Sequence, residues 1–312
     1  MAVPILLVTG FLGAGKTTLI NHLLTHPQGR RLAAVVNDFG AIDIDAALLG
    51  NAADGVVSLK NGCICCSLQG DLLRTLSTIL RRDPVPDGIV IETSGVSDPA
   101  EVVRALLDPV VWREAALDAV ICVADAWHLT RRPDLLDDAL CRSQIQAADF
   151  VALSKTDLVS PDEADRIKAA LAAVKPSRMI FDMEHGRVPA DILFSASLHQ
   201  PARITAPRSA FATPDFETLS WTATSPLSLM RFQAVIGRVA GLLVRAKGIL
   251  RFAERPDQPM LFQLVGERAT LSPSPIDDPA TEPVRLVLIA RNGVLDVPKV
   301  RDMLADCVAK PQ

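Results

Sequence analysis

The sequence predicts an α/β fold: a mostly parallel, doubly wound sheet, followed by a smaller α+β domain. Three observations carry this reading. From residue 4 to about 200, short β-rich runs alternate with longer helical patterns. Several of the runs are apolar without alternation, as strands buried on both faces should be. Around residues 201–215 the texture changes to Pro201, Pro207 and Pro214 among scattered Thr, Ser and Ala, which marks a boundary. The division that follows is 1–205, a linker at 206–215, and 216–312.

In the first part the strand candidates are Ile5–Val8, Leu32–Val36, Val56–Leu59, Gly88–Ile91, Ala119–Val123 and Phe150–Leu153. Helical spacing of three to four residues marks Thr17–Leu24, Leu68–Arg81 and Pro161–Val174. Such alternation implies right-handed crossovers and a ligand crevice beyond the carboxyl ends of the strands. In the second part Glu217–Thr224 alternates like a strand. Ser225-Pro226 is expected to open a helix, with Ser as cap and Pro at the first position. Strands at Ile249–Ala253, Met260–Val265 and Arg285–Ala290 follow, then a loop at Pro273–Pro283 and a last helix at Val297–Ala309. No internal repeat is visible.

A length of 312 residues suits two domains, and a formal net charge of -4 gives no electrostatic reason to expect nucleic acid or an anionic membrane as partner. The apolar Pro4–Val8 lacks a preceding basic segment and runs at once into glycine, so it reads as a buried strand and not as a signal peptide. No apolar run approaches the roughly 20 residues needed to span a bilayer. The expected location is the cytoplasm.

Gly10-Phe11-Leu12-Gly13-Ala14-Gly15-Lys16-Thr17 matches G-x-x-x-x-G-K-[ST], with a strand before it and a helix after. The match specifies a P-loop NTPase. Its glycines let backbone N–H groups wrap phosphate oxygens, and the helix starting at Lys16 aims its positive end at them. Lys16 is expected to reach the β and γ phosphates and the Thr17 hydroxyl to ligate Mg²⁺. The candidate phosphate-binding set is Gly10, Gly13, Ala14, Gly15, Lys16, Thr17 and Thr18. By chance the motif arises in roughly one chain per hundred, and its context lowers that further. The apolar strand Ile89-Val90-Ile91 ends in Glu92-Thr93-Ser94-Gly95. Glu92 is the candidate second acid at the magnesium, directly or through a water, and Gly95 can offer its N–H to the γ-phosphate.

Ser154-Lys155-Thr156-Asp157 follows another apolar strand and resembles the guanine motif N-K-x-D, with Ser for Asn. Guanine offers two donors on one edge that the Asp157 carboxylate accepts together, whereas adenine leaves it unpaired. Lys155 is expected to lay its stem along the base. Ser154 is expected to lose the brace that an amide supplies, with lower affinity but preserved guanine preference. A plain helix N-cap is the alternative reading of these residue types.

Three of six cysteines form Cys63-Ile64-Cys65-Cys66, joining a strand to the helix from Leu68. In a reducing compartment such a cluster is a metal or catalytic site before it is a disulfide framework. Thiolates at a helix start have lowered pKa and can fill three corners of a tetrahedron around Zn²⁺. A redox thiol set and mere packing are the alternatives. Cys122, Cys141 and Cys307 read as small buried hydrophobes. His128 falls near the crevice. His22, His26, His185 and His199 carry no ligand signal.

The stretches Gly10–Thr18, Asn37-Asp38-Phe39-Gly40, Cys63–Cys66, Glu92–Gly95 and Ser154–Asp157 occur in the order seen in CobW-like P-loop GTPases, relatives of the urease and hydrogenase nickel-insertion GTPases. Arg245–Leu250 and Phe262–Gly266 resemble that family's C-terminal domain, so the resemblance covers nearly the whole chain. It implies a GTP-dependent metallochaperone or insertase that handles zinc or cobalt and serves an unidentified client metalloprotein. Asp38 aligns with the Glu of the family's N-E-F-G and becomes a candidate switch or metal carboxylate, though shorter. The histidine-rich tract of many relatives is absent. The expected device is a switch. Mg-GTP orders loops around Asp38 and Gly95 and positions Cys63, Cys65 and Cys66 for metal; slow hydrolysis releases them. The rival readings are an ATPase or kinase, or a nucleotide-dependent adaptor, with an incidental or structural cysteine cluster.

Overall fold

Val3–Thr9 (β1) is the central strand of the first unit, and its residues Ile5, Leu6, Leu7 and Val8 are all fully buried. Because successive side chains point to opposite faces, burial of four in a row requires cover on both sides of the sheet. The computed structural model describes residues 2–27, 29–36, 56–58, 68–107, 114–174, 180–188, 193, 216–266, 268–274 and 283–309. The chain divides into two compact units, Ala2–Phe194 and Ser195–Gln312. The predicted linker and Asp38, Cys63, Cys65 and Cys66 lie outside the described residues.

In the first unit β1 leads through the glycine loop into α1 (Lys16–Thr25), then β2 (Leu32–Val36), β3 (Val56–Ser58), α2 (Leu68–Leu80), β4 (Gly88–Glu92) and α3 (Pro99–Leu106). The second half adds β5 (Ala115–Asp125), α4 (Ala126–Arg131), α5 (Ala139–Ala147), β6 (Phe150–Ser154), α6 (Pro161–Val174) and β7 (Ile180–Met183). The sheet order is β3-β2-β4-β1-β5-β6-β7, and every pairing is parallel. The chain fills one side of β1 first and the other side afterwards. The loop after β1 therefore stands at the switch point, where the crevice of such a sheet opens. One core gathers Ile5, Leu7, Val35, Ile91, Val120 and Cys122 with Leu76, Ile79, Val102 and Ile145 from the helices.

The α/β expectation holds. β5 runs longer than Ala119–Val123 at both ends, because Ala115–Leu117 also pair with Val3–Ile5. The short β7 was not anticipated: its pattern is half-buried and too brief to show a period. The single cysteines Cys122, Cys141 and Cys307 are buried, as expected. Burial, and then Asp138, raises the Cys141 thiol pKa above the usual value; burial, and then Asp306, does the same for Cys307. No helix among the described residues is long and apolar enough to cross a membrane.

The second unit is an antiparallel sheet in the order β11-β10-β9-β12-β8, built from β8 (Phe216–Ala223), β9 (Leu243–Phe252), β10 (Arg255–Val265), β11 (Arg268–Pro273) and β12 (Val284–Arg291). Two helices, α7 (Leu229–Val239) and α8 (Val297–Ala305), bury Phe232, Val235, Ile236, Val300 and Leu304 in one core with Leu219, Ala246, Leu250, Leu286 and Leu288. Two expected helix limits are corrected. The helix does not open at Ser225-Pro226, because Leu227 is held extended by bridges to Phe252 and Val308. It starts at Leu229, whose N–H donates to both carboxylate oxygens of Glu254 at 3.1 Å. The last helix stops at Ala305 and not at Ala309, since Ser228 N–H and Ala309 N–H donate to Cys307 O and Pro226 O in that same bridge.

Glu254 thus caps α7 from the turn between β9 and β10, while the Ser228 side chain makes no cap bond. Glu254→Ala is expected to cost about 1 kcal/mol, the usual worth of a cap, and to lower the unfolding midpoint of the second unit by thermal denaturation.

Candidate functional site

The loop Gly10–Gly15 begins where β1 ends and turns through left-handed backbone at Gly10 (φ 136°), Gly13 (φ 71°) and Gly15 (φ 102°). Gly10 is constrained twice, because a Cβ there would also fall 2.2 Å from the Val123 carbonyl oxygen. At Gly13 a Cβ would meet nothing within 4 Å, so the crest of the loop is open. The Lys16 ammonium donates to Gly10 O at 3.0 Å and Phe11 O at 3.2 Å, and the side chain is almost wholly buried. α1 starts at Lys16 with no acidic residue of its own in the first turn, so its sequence offers no charge against its positive end.

Glu92, the last residue of β4, is brought beside the start of α1. The Thr17 hydroxyl donates to Glu92 Oε1 at 3.4 Å, and Glu92 is 4% exposed. A hydroxyl and a carboxylate together are hard oxygen donors of the kind Mg²⁺ takes. The segment then crosses over the loop. Thr93 N–H donates to Val8 O at 2.9 Å, and a Cβ on Gly95 would lie 2.7 Å from Leu12 N. Gly95 is thus pressed directly on the phosphate loop. These residues fit a magnesium-bound triphosphate: an open left-handed cradle, a buried lysine beneath it, and oxygen donors at its foot.

The guanine-motif candidates sit at the end of β6. Ser154 is 3% exposed, and its hydroxyl lies 2.6 Å from Ala14 O and 3.1 Å from Ala124 O. The amide is absent, and a hydroxyl contact stands in that place. One hydroxyl proton serves two carbonyls, where an amide would bring two N–H groups, so the brace is thinner but still joins β6 to the phosphate loop. Lys155 adopts φ 56° and its ammonium pairs with Asp125 Oδ2 at 2.5 Å. Asp157 lies in a short 3₁₀ turn, Thr156–Leu158, with its side chain exposed.

Several residues here escaped sequence reasoning. Asp125 ends β5, orients Lys155, and with its other oxygen accepts the His128 N–H at 2.9 Å to cap α4. Its position at a strand's carboxyl end was the available signal. Gln144 on α5 donates to Gly95 O and Ser97 O, and nothing in its surroundings in sequence marks it. After β7 the two-residue turn His185-Gly186 folds back, with Arg187 N–H on Glu184 O, and Gly186 presses on Thr18 O of α1. The Met183 methyl lies 3.6 Å from a Cβ built on Gly15. His128 does lie by the crevice, with its ring edge-on to Phe11 at 6.4 Å. His22 stacks on His26 at 4.6 Å; burial, then His26 and Arg187, lower the His22 pKa. Among the described residues no group of three or more His, Cys, Asp or Glu is arranged to hold a metal ion.

Comparison with known proteins adds the lineage. Residues 4–182 match the model described as CobW/HypB/UreG, nucleotide-binding domain, and residues 216–308 match the cobalamin synthesis protein cobW C-terminal domain. The chain is 30% identical over 276 residues to the zinc chaperone YjiA of Escherichia coli (strain K12), covering 84% of this chain and 85% of that one. It is 30% identical over 312 residues to the zinc chaperone CobW of a Sinorhizobium species, covering 85% and 86%. The zinc-regulated GTPase metalloprotein activator 1 of Schizosaccharomyces pombe is 30% identical over 195 residues, covering 60% of this chain and 47% of that one. The phosphate loop at the switch point, the acid at the end of β4 and both matched segments agree: the chain belongs to the CobW/HypB/UreG family.

Proposed function

We propose that the chain is a GTP-dependent metal chaperone: it binds Mg-GTP in the Gly10–Thr17 crevice, hydrolyses it slowly, and couples that cycle to uptake and transfer of a transition metal. Zinc is favoured over cobalt. The observation that carries the nucleotide half is the contact of Thr17 with Glu92 at the foot of an open glycine cradle. The metal half rests on relatives named zinc chaperones and on Cys63, Cys65 and Cys66 in this sequence.

In this reading the loop amides and Lys16 take the phosphates, with Thr18 beside them at the start of α1. Thr17 and Glu92 hold Mg²⁺, which when bound neutralises charge developing on the phosphate oxygens. Gly95 gives its N–H to the γ-phosphate. Lys155 and Asp157 take the base, with guanine chosen because Asp157 can accept two N–H groups from one edge. Cys63, Cys65 and Cys66 receive the metal cargo, and Asp38 is the carboxylate of the neighbouring switch. The support for coupling is topological: Val36, Ser58 and Glu92 end parallel neighbours in register. The described strands that precede Asp38 and Cys63 in the sequence therefore end at the same edge of the sheet as Glu92, which meets Thr17. Residues 1–205 form the nucleotide domain, 206–215 the linker, and 216–312 the CobW-like C-terminal α+β domain.

Three outcomes test this. Asp157→Ala is expected to cut the preference for GTP over ATP by about two orders of magnitude in competitive binding, and an unchanged ratio would sink the guanine assignment. Ser154→Ala is expected to weaken GTP and GDP alike by about fivefold to tenfold, since the Ala14 and Ala124 carbonyls lose their shared donor. Zn²⁺ affinity measured by chelator competition should be about 5- to 150-fold tighter with a GTP analogue than with GDP, and Cys→Ser changes at 63, 65 and 66 should abolish the difference. Equal Zn²⁺ affinity in every nucleotide state would leave a GTPase with no delivery cycle.

A further inference from the structure

The segment that carries Gly95 is fastened from α5. The Gln144 amide nitrogen donates to Gly95 O at 3.1 Å and to Ser97 O at 3.3 Å, using both of its N–H groups. Two carbonyl oxygens on one end of the side chain also fix which end is nitrogen, since the reverse would set oxygen against oxygen. Next to it, Ser143 Oγ donates to Asp98 Oδ1 at 2.8 Å, the same oxygen that caps α3 by accepting the Ala100 N–H. The other side of the Gly95–Val96 peptide is held as well, with Val96 N–H donating to Ser94 Oγ at 3.4 Å.

Gln144 is 1% exposed, and beside it a small, mainly apolar cavity extends behind Phe11 and Leu12 to Cys122 and Cys141. An amide in such surroundings holds its acceptors more tightly than in water and is costly to leave half-paired. Its partner Gly95 lies on the Leu12 backbone, with no room even for a Cβ. Gln144 therefore fixes the Gly95 carbonyl and, through the Gly95 Cα, the placement of its N–H relative to the phosphate loop. On the γ-phosphate reading of Gly95 a diphosphate lacks the group that its N–H would meet, so the loss of that contact falls on the triphosphate.

We infer that Gln144 is a positioning residue for triphosphate recognition: by tethering the Gly95 and Ser97 carbonyls it presents the Gly95 N–H to the terminal phosphate and sets the discrimination between GTP and GDP. The inference rests on the γ-phosphate reading of Gly95 given above.

The test compares Mg²⁺-dependent binding of GDP and of a non-hydrolysable GTP analogue to the full chain, by titration calorimetry, for wild type, Gln144→Met and Gln144→Glu. Gln144→Met keeps the length and removes the donors. It should bind GDP within about twofold of wild type and the analogue about tenfold more weakly, the worth of one hydrogen bond. Gln144→Glu should lose the analogue at neutral pH and regain it on acidification, relative to wild type at the same pH, because a protonated carboxyl again has an O–H to donate. Equal loss of both nucleotides, or an unchanged ratio, would overturn the assignment. Should Gln144→Met fail to fold, the pH profile of Gln144→Glu decides alone, and absence of acid recovery overturns it. A wild-type protein with no preference for the analogue would instead remove the Gly95 reading, and the role of Gln144 with it.

Discussion

The site depends on backbone lying directly against backbone. At Gly10 a Cβ would sit 2.2 Å from the Val123 carbonyl, and at Gly95 one would sit 2.7 Å from the Leu12 nitrogen. These separations are shorter than any side chain allows, so the phosphate loop is pressed between β5 on one side and the segment after β4 on the other. Convergence of several N–H groups on one point requires such tight turns, and the turns hold only if the surrounding strands do not yield. β1, β4 and β5 supply that rigidity through apolar residues buried on both faces. Packing of the sheet is in this sense part of the phosphate site.

A second layer of contacts secures the loop from further away. Ser154 reaches the Ala14 carbonyl from β6, and Asp125 pairs with Lys155 while capping α4. The Asp125 carboxylate is nearly enclosed while the Lys155 side chain is more than a third exposed. The pair is therefore worth more for the direction it gives Lys155 than for stability, since solvent screens half of it. Lys155 also stands in left-handed backbone, a strained position for a residue with a Cβ. Such strain is tolerable where the carboxylate, the Ser154 anchor and the following 3₁₀ turn together leave no alternative.

What could be read from the sequence follows from how far apart the partners are. The loop Gly10–Thr17, the strand ending at Glu92 and the sulfur trio are local patterns, so each stood out by itself. The tie of Gln144 to Gly95 spans 49 residues, that of Lys155 to Asp125 spans 30, and that of Ser154 to Ala14 spans 140. No local pattern encodes them. Ser154 illustrates this: the motif shows an amide missing but not that a hydroxyl there meets the Ala14 and Ala124 carbonyls. The second unit repeats the lesson. Ser225-Pro226 is a sound local helix start, and it is overridden because Leu227 is claimed by Phe252 and Val308. β11, with mostly exposed residues, lacked any apolar signal.

The parallel topology explains why one nucleotide could govern groups so widely separated in the chain. In a parallel sheet every strand delivers its carboxyl end to the same edge, with neighbours about 4.8 Å apart. Here Val36 stands beside Glu92 on one flank and Ser58 on the other. Asp38 follows Val36 by two residues and Cys63 follows Ser58 by five in the sequence, and the strands that end at Val36 and Ser58 lie within two strand spacings of the acid that meets Thr17. An antiparallel arrangement would send alternate strands to opposite edges and break that grouping. Differential contact is what a ligand needs in order to shift a switch. In the function proposed above, the triphosphate has it at Gly95 and Glu92, on a single segment whose Gly95 and Ser97 carbonyls accept from Gln144.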